Sequence, residues 1–312
     1  MPQGVSFCGG KILNNFEGII LIDKPKDYTS FDVIARMRGM AKTKKVGHAG
    51  TLDPMATGVL PIFFGRSAKA VDMLPVQDKT YIAKVKLGMT TDTQDIMGKV
   101  LSVCNNIPGE DKLREAINSF VGTQKQLPPM YSAVQVNGRR LYDLARQGIE
   151  VEREARDITV YSINIIDISL PEFTIEVACS KGTYVRTLCH DIGQKLQCGA
   201  VLTELRRIMA AGFGIDECIT LEEAQKLTSE DKLIEKLIPI DRVFSYLPKI
   251  VLSEKDTVHY LNGVRMTAKR FRVNSSDGDI AVYDENNRLL GISYVNEKGF
   301  LTTKKQFVII GG

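Results

Sequence analysis

The segment GIILIDKP, Gly18 to Pro25, reads as a short buried strand that runs into a turn. Thr29 and Asp32 follow at the spacing of a capping box, and Phe31, Ile34 and Met37 then recur at helical intervals, which predicts a helix behind the strand. From Thr80 onward Tyr81, Ala83, Val85 and Leu87 alternate with Ile82, Lys84 and Lys86, the period of a half-buried strand with Tyr81 on its apolar face. Residues 110–121 carry Leu113, Ile117, Phe120 and Val121 at helical spacing, and 157–170 are rich in Ile, Val and Tyr like a further strand. Between these two lies LPPMYSAVQVNGRRLYDLARQGIEVERE. Its paired prolines and its Arg139, Arg140 and Arg146 predict an exposed excursion from the core, of the kind that carries function.

Phe173, Ile175, Val177 and Cys179 share one face of another strand, Lys181 and Gly182 break it, and Val185, Leu188, Ile192 and Leu196 return to the helical period. The order of elements has no regular βαβ rhythm, so the expected class is α+β, with a mixed, largely antiparallel central sheet flanked by helices. Thr220 with Glu223 opens one or two helices over 220–237, and Pro239 and Pro248 bracket a linker. Ser253 and Asp256 cap a last helix that stops at Gly263, and β-like segments at 280–283, 289–295 and 307–310 follow. The expected organisation is therefore a first domain over 1–240, with the excursion at about 124–156, and a small, mostly β domain over 249–312.

Composition narrows the class without naming a function. With 312 residues, 44% hydrophobic and 25% charged, the chain is an ordinary globular protein, long enough for about two domains at roughly 100 to 200 residues each. Lys and Arg number 41 against 37 Asp and Glu, a formal charge of +4, so a polyanion site must come from local clustering. One such cluster is RMRGMAKTKK, where Arg36, Arg38, Lys42, Lys44 and Lys45 stand with no acid among them. The 6 cysteines include no CxxC pair, and Cys179, Cys189, His190 and Cys198 match no zinc spacing, so they are expected to be reduced, buried and free of metal. No run approaches the roughly 18 apolar residues of a membrane span, and a cytoplasmic home is expected.

The densest chemistry lies in VGHAGTLDPMATGVLP, Val46 to Pro61, where three glycines and two prolines enclose His48 and Asp53. A phosphate cradle is one reading, but neither GxxxxGK[ST] nor GxGxxG is present. A second reading makes Asp53 a reactive carboxylate on a rigid turn at a cleft edge, approachable because Gly50 and Gly58 have no side chains. A third makes it the cap of the next turn.

GHAGTLDPMATGVLP resembles the catalytic loop of the bacterial tRNA pseudouridine synthase B (TruB) family. GIILIDKP before it, DKTYIAKVKLGMTTDTQD after it, and SKGTYVRTL and LTELRRI further on agree with that family in order and spacing. The likeness runs from about Gly18 to Ile208, with a looser match to the family's PUA-type RNA-binding domain from about Lys249. It implies that Asp53 is the nucleophile of uridine isomerisation and that Arg186 pairs with it and keeps it ionised. Tyr81, which otherwise reads as core, corresponds to the aromatic that stacks on the target base. Tyr184 corresponds to a second active-site aromatic, Leu205 to an apolar wall and Lys69 to a lysine near the site. His48 corresponds to the residue that fills the place of the flipped uridine, a need that arises because a base must leave the stack to be modified.

The resemblance further implies that Arg36, Lys42, Lys44, Lys45, Arg139 and Arg140 contact RNA phosphates, with the 124–156 segment closing over the substrate. The expected activity is isomerisation of the T-loop uridine (position 55 of tRNA) to pseudouridine, without cofactor or metal, by a monomer that contacts the T arm and acceptor end. Two alternatives stay open: a synthase acting on another RNA, and an RNA-binding, tRNA-folding protein whose catalysis is incidental.

Overall fold

In the computed structural model, which describes residues 16–132, 134–136 and 138–308, the Gly18–Lys24 strand is buried along nearly its whole length. It pairs antiparallel with Thr57–Phe64 and sends alternate residues into two different cores. Ile20 and Ile22 face the Ser30–Met40 and Leu221–Ser229 helices, while Ile19 and Leu21 face the C-terminal part of the chain. Both layers are apolar, which is why the strand shows no polar alternation.

The main sheet has 9 strands, in the order Gly18–Lys24, Thr57–Phe64, Ala200–Ala210, Lys79–Leu87, Glu172–Cys179, Arg156–Ser169 and Gly122–Gln126, with Val46–His48 and Phe213–Gly214 attached at one side. All its pairings are antiparallel except the short parallel contact of Arg206 and Arg207 with Thr57 and Gly58. The class is α+β, with a mixed and largely antiparallel sheet. Gly58 is required at that junction: its φ is +105°, and a Cβ there would lie 2.1 Å from the Arg207 carbonyl oxygen. Tyr81, Ala83, Val85 and Leu87 form one buried face of the Lys79–Leu87 strand, packed with Phe173, Ile175 and Val177 under helices Glu110–Asn118 and Val185–Lys195.

A second sheet of 5 strands runs Lys249–Leu252, Ile280–Asp284, Leu289–Val295, Phe300–Gln306 and Met266–Thr267, with the Glu254–Leu261 helix capped by Ser253 as its spacing predicts. Among the described residues no helix is long and apolar enough to cross a membrane, and no group of three or more His, Cys, Asp or Glu residues could hold a metal.

Several local expectations change. Phe31 is not on the buried face of its helix, which is made by Ser30, Val33, Ile34 and Met37; its side chain is 60% exposed. The segment between Pro239 and Pro248 is not a free linker. Val243 and Phe244 are buried, the Phe244 ring lies 5.9 Å from that of Phe307, and both join a core shared with Leu21, Phe63, Tyr283 and Ile292. The last strand is Phe300–Gln306, displaced from the expected 307–310, of which 307 and 308 are outside any strand and 309 and 310 lie outside the described residues. The excursion also carries structure, a Gln135–Val136/Arg139–Arg140 hairpin and a Leu141–Arg146 helix that buries Leu141 and Leu144. Residues 1–15, including Cys8, lie outside the described residues.

Candidate active site

Asp53 lies on the loop between Val46–His48 and Thr57–Phe64, a segment with no ladder of its own. Three buried side chains hold it from below. Ser30 Oγ accepts from the Leu52 N–H at 2.9 Å and donates to the Leu52 carbonyl at 3.2 Å. Lys24 Nζ donates to the carbonyls of Pro25, Tyr28 and Pro54 at 2.9, 2.5 and 3.2 Å. Arg207 donates from Nε to the Val59 carbonyl at 2.8 Å and from Nη2 to the Gly50 carbonyl at 2.9 Å, tying both ends of the loop to the sheet. Each anchor gives main-chain groups of the loop or its flanks a side-chain partner from the layer below.

The carboxylate meets Arg186 Nη2 at 3.2 Å. Arg186 comes from the first turn of the Val185–Lys195 helix, only 7% of its side chain is exposed, and it is fixed from three sides. Nη1 lies 3.5 Å from Asp95 Oδ2, and Nη2 also donates to the Tyr131 carbonyl. Asp95 is in turn held by the Thr93 hydroxyl at 2.7 Å and the Met97 N–H at 3.0 Å. The helix start is fixed by Gln126, whose side-chain amide accepts from the Tyr184 N–H at 2.8 Å and donates to the Tyr184 carbonyl at 3.1 Å.

Burial pushes the Asp53 carboxyl above the usual aspartate value, Arg186 pushes it down, Asp95 pushes it up and Lys24 pushes it down. The Arg186 guanidinium beside it and the 41% of the Asp53 side chain that still meets solvent at the pocket mouth both favour the charged form against that burial. Burial pushes the Tyr81 hydroxyl up, so the ring is a neutral phenol beside Arg207, its cross-strand partner. Burial, and the Arg207 charge after it, lower His48, which keeps the imidazole neutral.

Thr51, Leu52, Asp53, Tyr81, Thr183, Tyr184, Val185, Arg186 and Leu205 line a pocket of about 100 Å³. That is space for a few waters, the scale of one planar base rather than of a whole nucleotide. Five expected site residues (Asp53, Tyr81, Tyr184, Arg186 and Leu205) therefore come together. His48 stands at the rim, its Nε2 3.3 Å from the Thr51 hydroxyl. Lys69 does not reach this pocket: its ammonium lies 3.3 Å from the Gln306 carbonyl, at the junction with the second sheet. Arg36, Lys42, Lys44 and Lys45 are exposed, and among the described residues none of them has an ion-pair partner. Arg139 donates to Gln147 Oε1 at 2.9 Å, and the side chain of Arg140 lies outside the described atoms.

The anchors Lys24, Ser30, Asp95, Gln126 and Arg207 were not anticipated. For two of them a signal existed: Lys24 ends an otherwise apolar run, and Asp95 sits in the turn sequence TTDTQD.

A small pocket at the centre of a mixed sheet, with an Asp–Arg pair at its mouth, defines a class. The chain is similar to the solved Cbf5-Nop10-Gar1 complex, with a TM-score of 0.71 and 25% identity over 94% of this chain and 85% of the other. It shares the fold of the archaeal box H/ACA sRNP Nop10-Cbf5 complex at a TM-score of 0.70, covering 96% and 88% of the two chains at 23% identity. This is the pseudouridine-synthase fold. The chain belongs to the TruB family of pseudouridylate synthases: the family's N-terminal domain model matches residues 38–185, and the tRNA pseudouridylate synthase B C-terminal domain model matches 186–245. It is 43% identical over 289 residues to the tRNA pseudouridine synthase B of Clostridium kluyveri, covering 92% of this chain and 99% of that one. It is 46% identical over 293 residues to that of Clostridium perfringens strain 13, covering 92% and 98%.

Proposed function

We infer that this chain is a tRNA pseudouridine synthase that isomerises the T-loop uridine (position 55 of tRNA). The observation that carries the reading is the Asp53–Arg186 pair at 3.2 Å, at the mouth of a base-sized pocket walled by Tyr81, Tyr184 and Leu205, in a member of this family. The reaction breaks the bond from the sugar to N1 of uracil, forms one to C5, returns a proton to N1 and releases the C5 hydrogen to water. Asp53 acts as the nucleophile that holds the detached state, which requires the charged form that Arg186 maintains. Arg186 is in turn positioned by Asp95. Tyr81 stacks on the uracil, Leu205 and Tyr184 close the walls, and His48 fills the gap that the flipped base leaves in the RNA.

Residues 1–240 form the catalytic domain and 249–312 a PUA-like RNA-binding domain, and the 124–156 segment closes over the bound RNA. Arg36, Lys42, Lys44, Lys45, Arg139 and Arg140 take phosphates of the T arm, and the C-terminal domain reaches toward the acceptor end. The enzyme works as a monomer in the cytoplasm and uses no cofactor.

Release of tritium from a T-arm RNA labelled at C5 of uridine reports the new carbon bond directly. The wild type should release it, and Asp53→Asn should bind the same RNA without release. Release by the variant would reduce Asp53 to a turn cap. A wild type that binds RNA but releases nothing, here and with total RNA, would leave the tRNA-folding reading in place.

A further inference from the structure

The exposed ring of Phe31 has no packing function in its helix, and its surroundings show what it is placed for. It sits one residue inside the Ser30–Met40 helix, at the exposed edge of the face that buries Ser30, Val33, Ile34 and Met37. Its ring centroid is 5.8 Å from that of His48, with the two planes inclined at 55°. His48 touches Thr51, and Thr51 lines the Asp53 pocket, so Phe31 extends a continuous path from the pocket across the rim to the surface. Along the helix the same exposed stripe continues with Ala35 and Arg38, at i+4 and i+7 from Phe31. Ala35 leaves the stripe flat, and Arg38 stands about 10 Å further along the axis at 1.5 Å per residue. Lys42 and Lys44 follow, exposed, beyond the helix end. The nearby Asp32 carboxylate is occupied by the Thr29 N–H and hydroxyl at 2.8 and 2.6 Å and holds the cap.

We propose that the exposed Phe31 ring, braced at a tilt against His48, is the platform on which an unstacked base of the substrate RNA loop rests, with Arg38 taking a phosphate of the same strand. A flat aromatic face followed by a cation is what single-stranded nucleic acid recognises without regard to sequence. The occupant is therefore an RNA base beside the flipped uridine rather than a protein side chain, because the stripe runs into cations unmatched by acids. The proposal rests on the synthase reading above and adds a binding residue to it. Burial keeps the His48 ring neutral, which suits stacking.

The chain contains 0 Trp, so Phe31→Trp places a single indole reporter at the site. In an Asp53→Asn background, T-arm RNA should quench its emission, with a midpoint equal to the dissociation constant from filter binding. Phe31→Leu should raise the dissociation constant and KM by on the order of tenfold and leave the melting temperature in place, and Phe31→Tyr should restore affinity. A Phe31→Trp protein that binds RNA without quenching, or a Phe31→Leu enzyme with wild-type KM, overturns the platform while tritium release by the wild type upholds the synthase reading. Absence of release by the wild type removes both.

Discussion

Lys24 and Arg207 lie fully buried beneath the catalytic loop and donate to main-chain carbonyls, whereas Arg36, Arg38, Lys42, Lys44 and Lys45 beside it are exposed and unpaired among the described residues. The residue types are the same and the separations short, yet the physical consequences are opposite. A buried cation must be matched by oxygens that cannot leave, so it fixes the chain. An exposed cation keeps its water and its rotamer freedom until an anion arrives, so it contributes to binding and little to folding. The pocket needs the first kind because its two sides are built differently. Tyr81 and Leu205 are positioned by strand ladders, while Asp53 depends on side chains reaching up from the layer below.

The sharpest way to break this contrast is Arg207→Met. The change keeps much of the volume but leaves the Gly50 and Val59 carbonyls without their donors. We expect a loss of about 3 kcal/mol in urea unfolding, together with a fall in isomerisation larger than that seen for any single exposed cation. An Arg207→Met protein as stable as the wild type would show that the loop is held by its own turns.

Lys24 carries a pH signature. Burial is the largest cause lowering its pKa from 10.5 to about 8, with nearby Asp53 and Asp27 opposing and Arg207 assisting. The folded state therefore gives up this proton at a lower pH than the unfolded chain does, and between about pH 8 and 10.5 the unfolded state binds more protons. Stability must rise with pH across that window, by on the order of 3 kcal/mol at most, and be flat below it with respect to this group. Lys24→Met should lack that rise, so the difference in unfolding free energy between wild type and variant, measured at pH 7 and pH 10, should change. Parallel pH profiles would mean that Lys24 is not confined as its surroundings indicate.

The sequence carried the sheet and the pocket to different depths. Strand periods were legible wherever one or both faces are uniformly apolar, as at 18–24, 79–87 and 172–179, because alternation reports burial directly. The Asp53, Tyr81, Tyr184, Arg186 and Leu205 set was legible through motif resemblance, since these residues lie up to 152 positions apart (205 − 53) and only the fold joins them. Phe31 was misplaced because it stands at the edge of the arc that Ile34 and Met37 bury, and helical spacing alone does not say how far the neighbours that cover that arc, Leu60, Ile62 and Phe64 of a distant strand, extend. The 239–248 segment misled for the opposite reason. Its prolines signal a break in regular structure, but Val243 and Phe244 between them are apolar enough to be drawn into a core.

The smallest expected effect on the fold, and the one that isolates the exposed set, is neutralisation of Lys42, Lys44 and Lys45 to Gln. All three side chains lack ion-pair partners among the described residues, so the melting temperature should stay within the range of ordinary surface changes. RNA affinity should fall by roughly tenfold near 0.1 M salt, and the slope of log affinity against log salt should flatten by about 2, because each lost phosphate contact releases close to one counterion fewer. Phe31→Leu should weaken binding by a similar factor with the slope unchanged, since a stacked ring releases no counterions. The two variants then separate charge from stacking on one surface. If the slope stays at the wild-type value in the triple variant, these lysines are a solvated face and the phosphate contacts lie elsewhere.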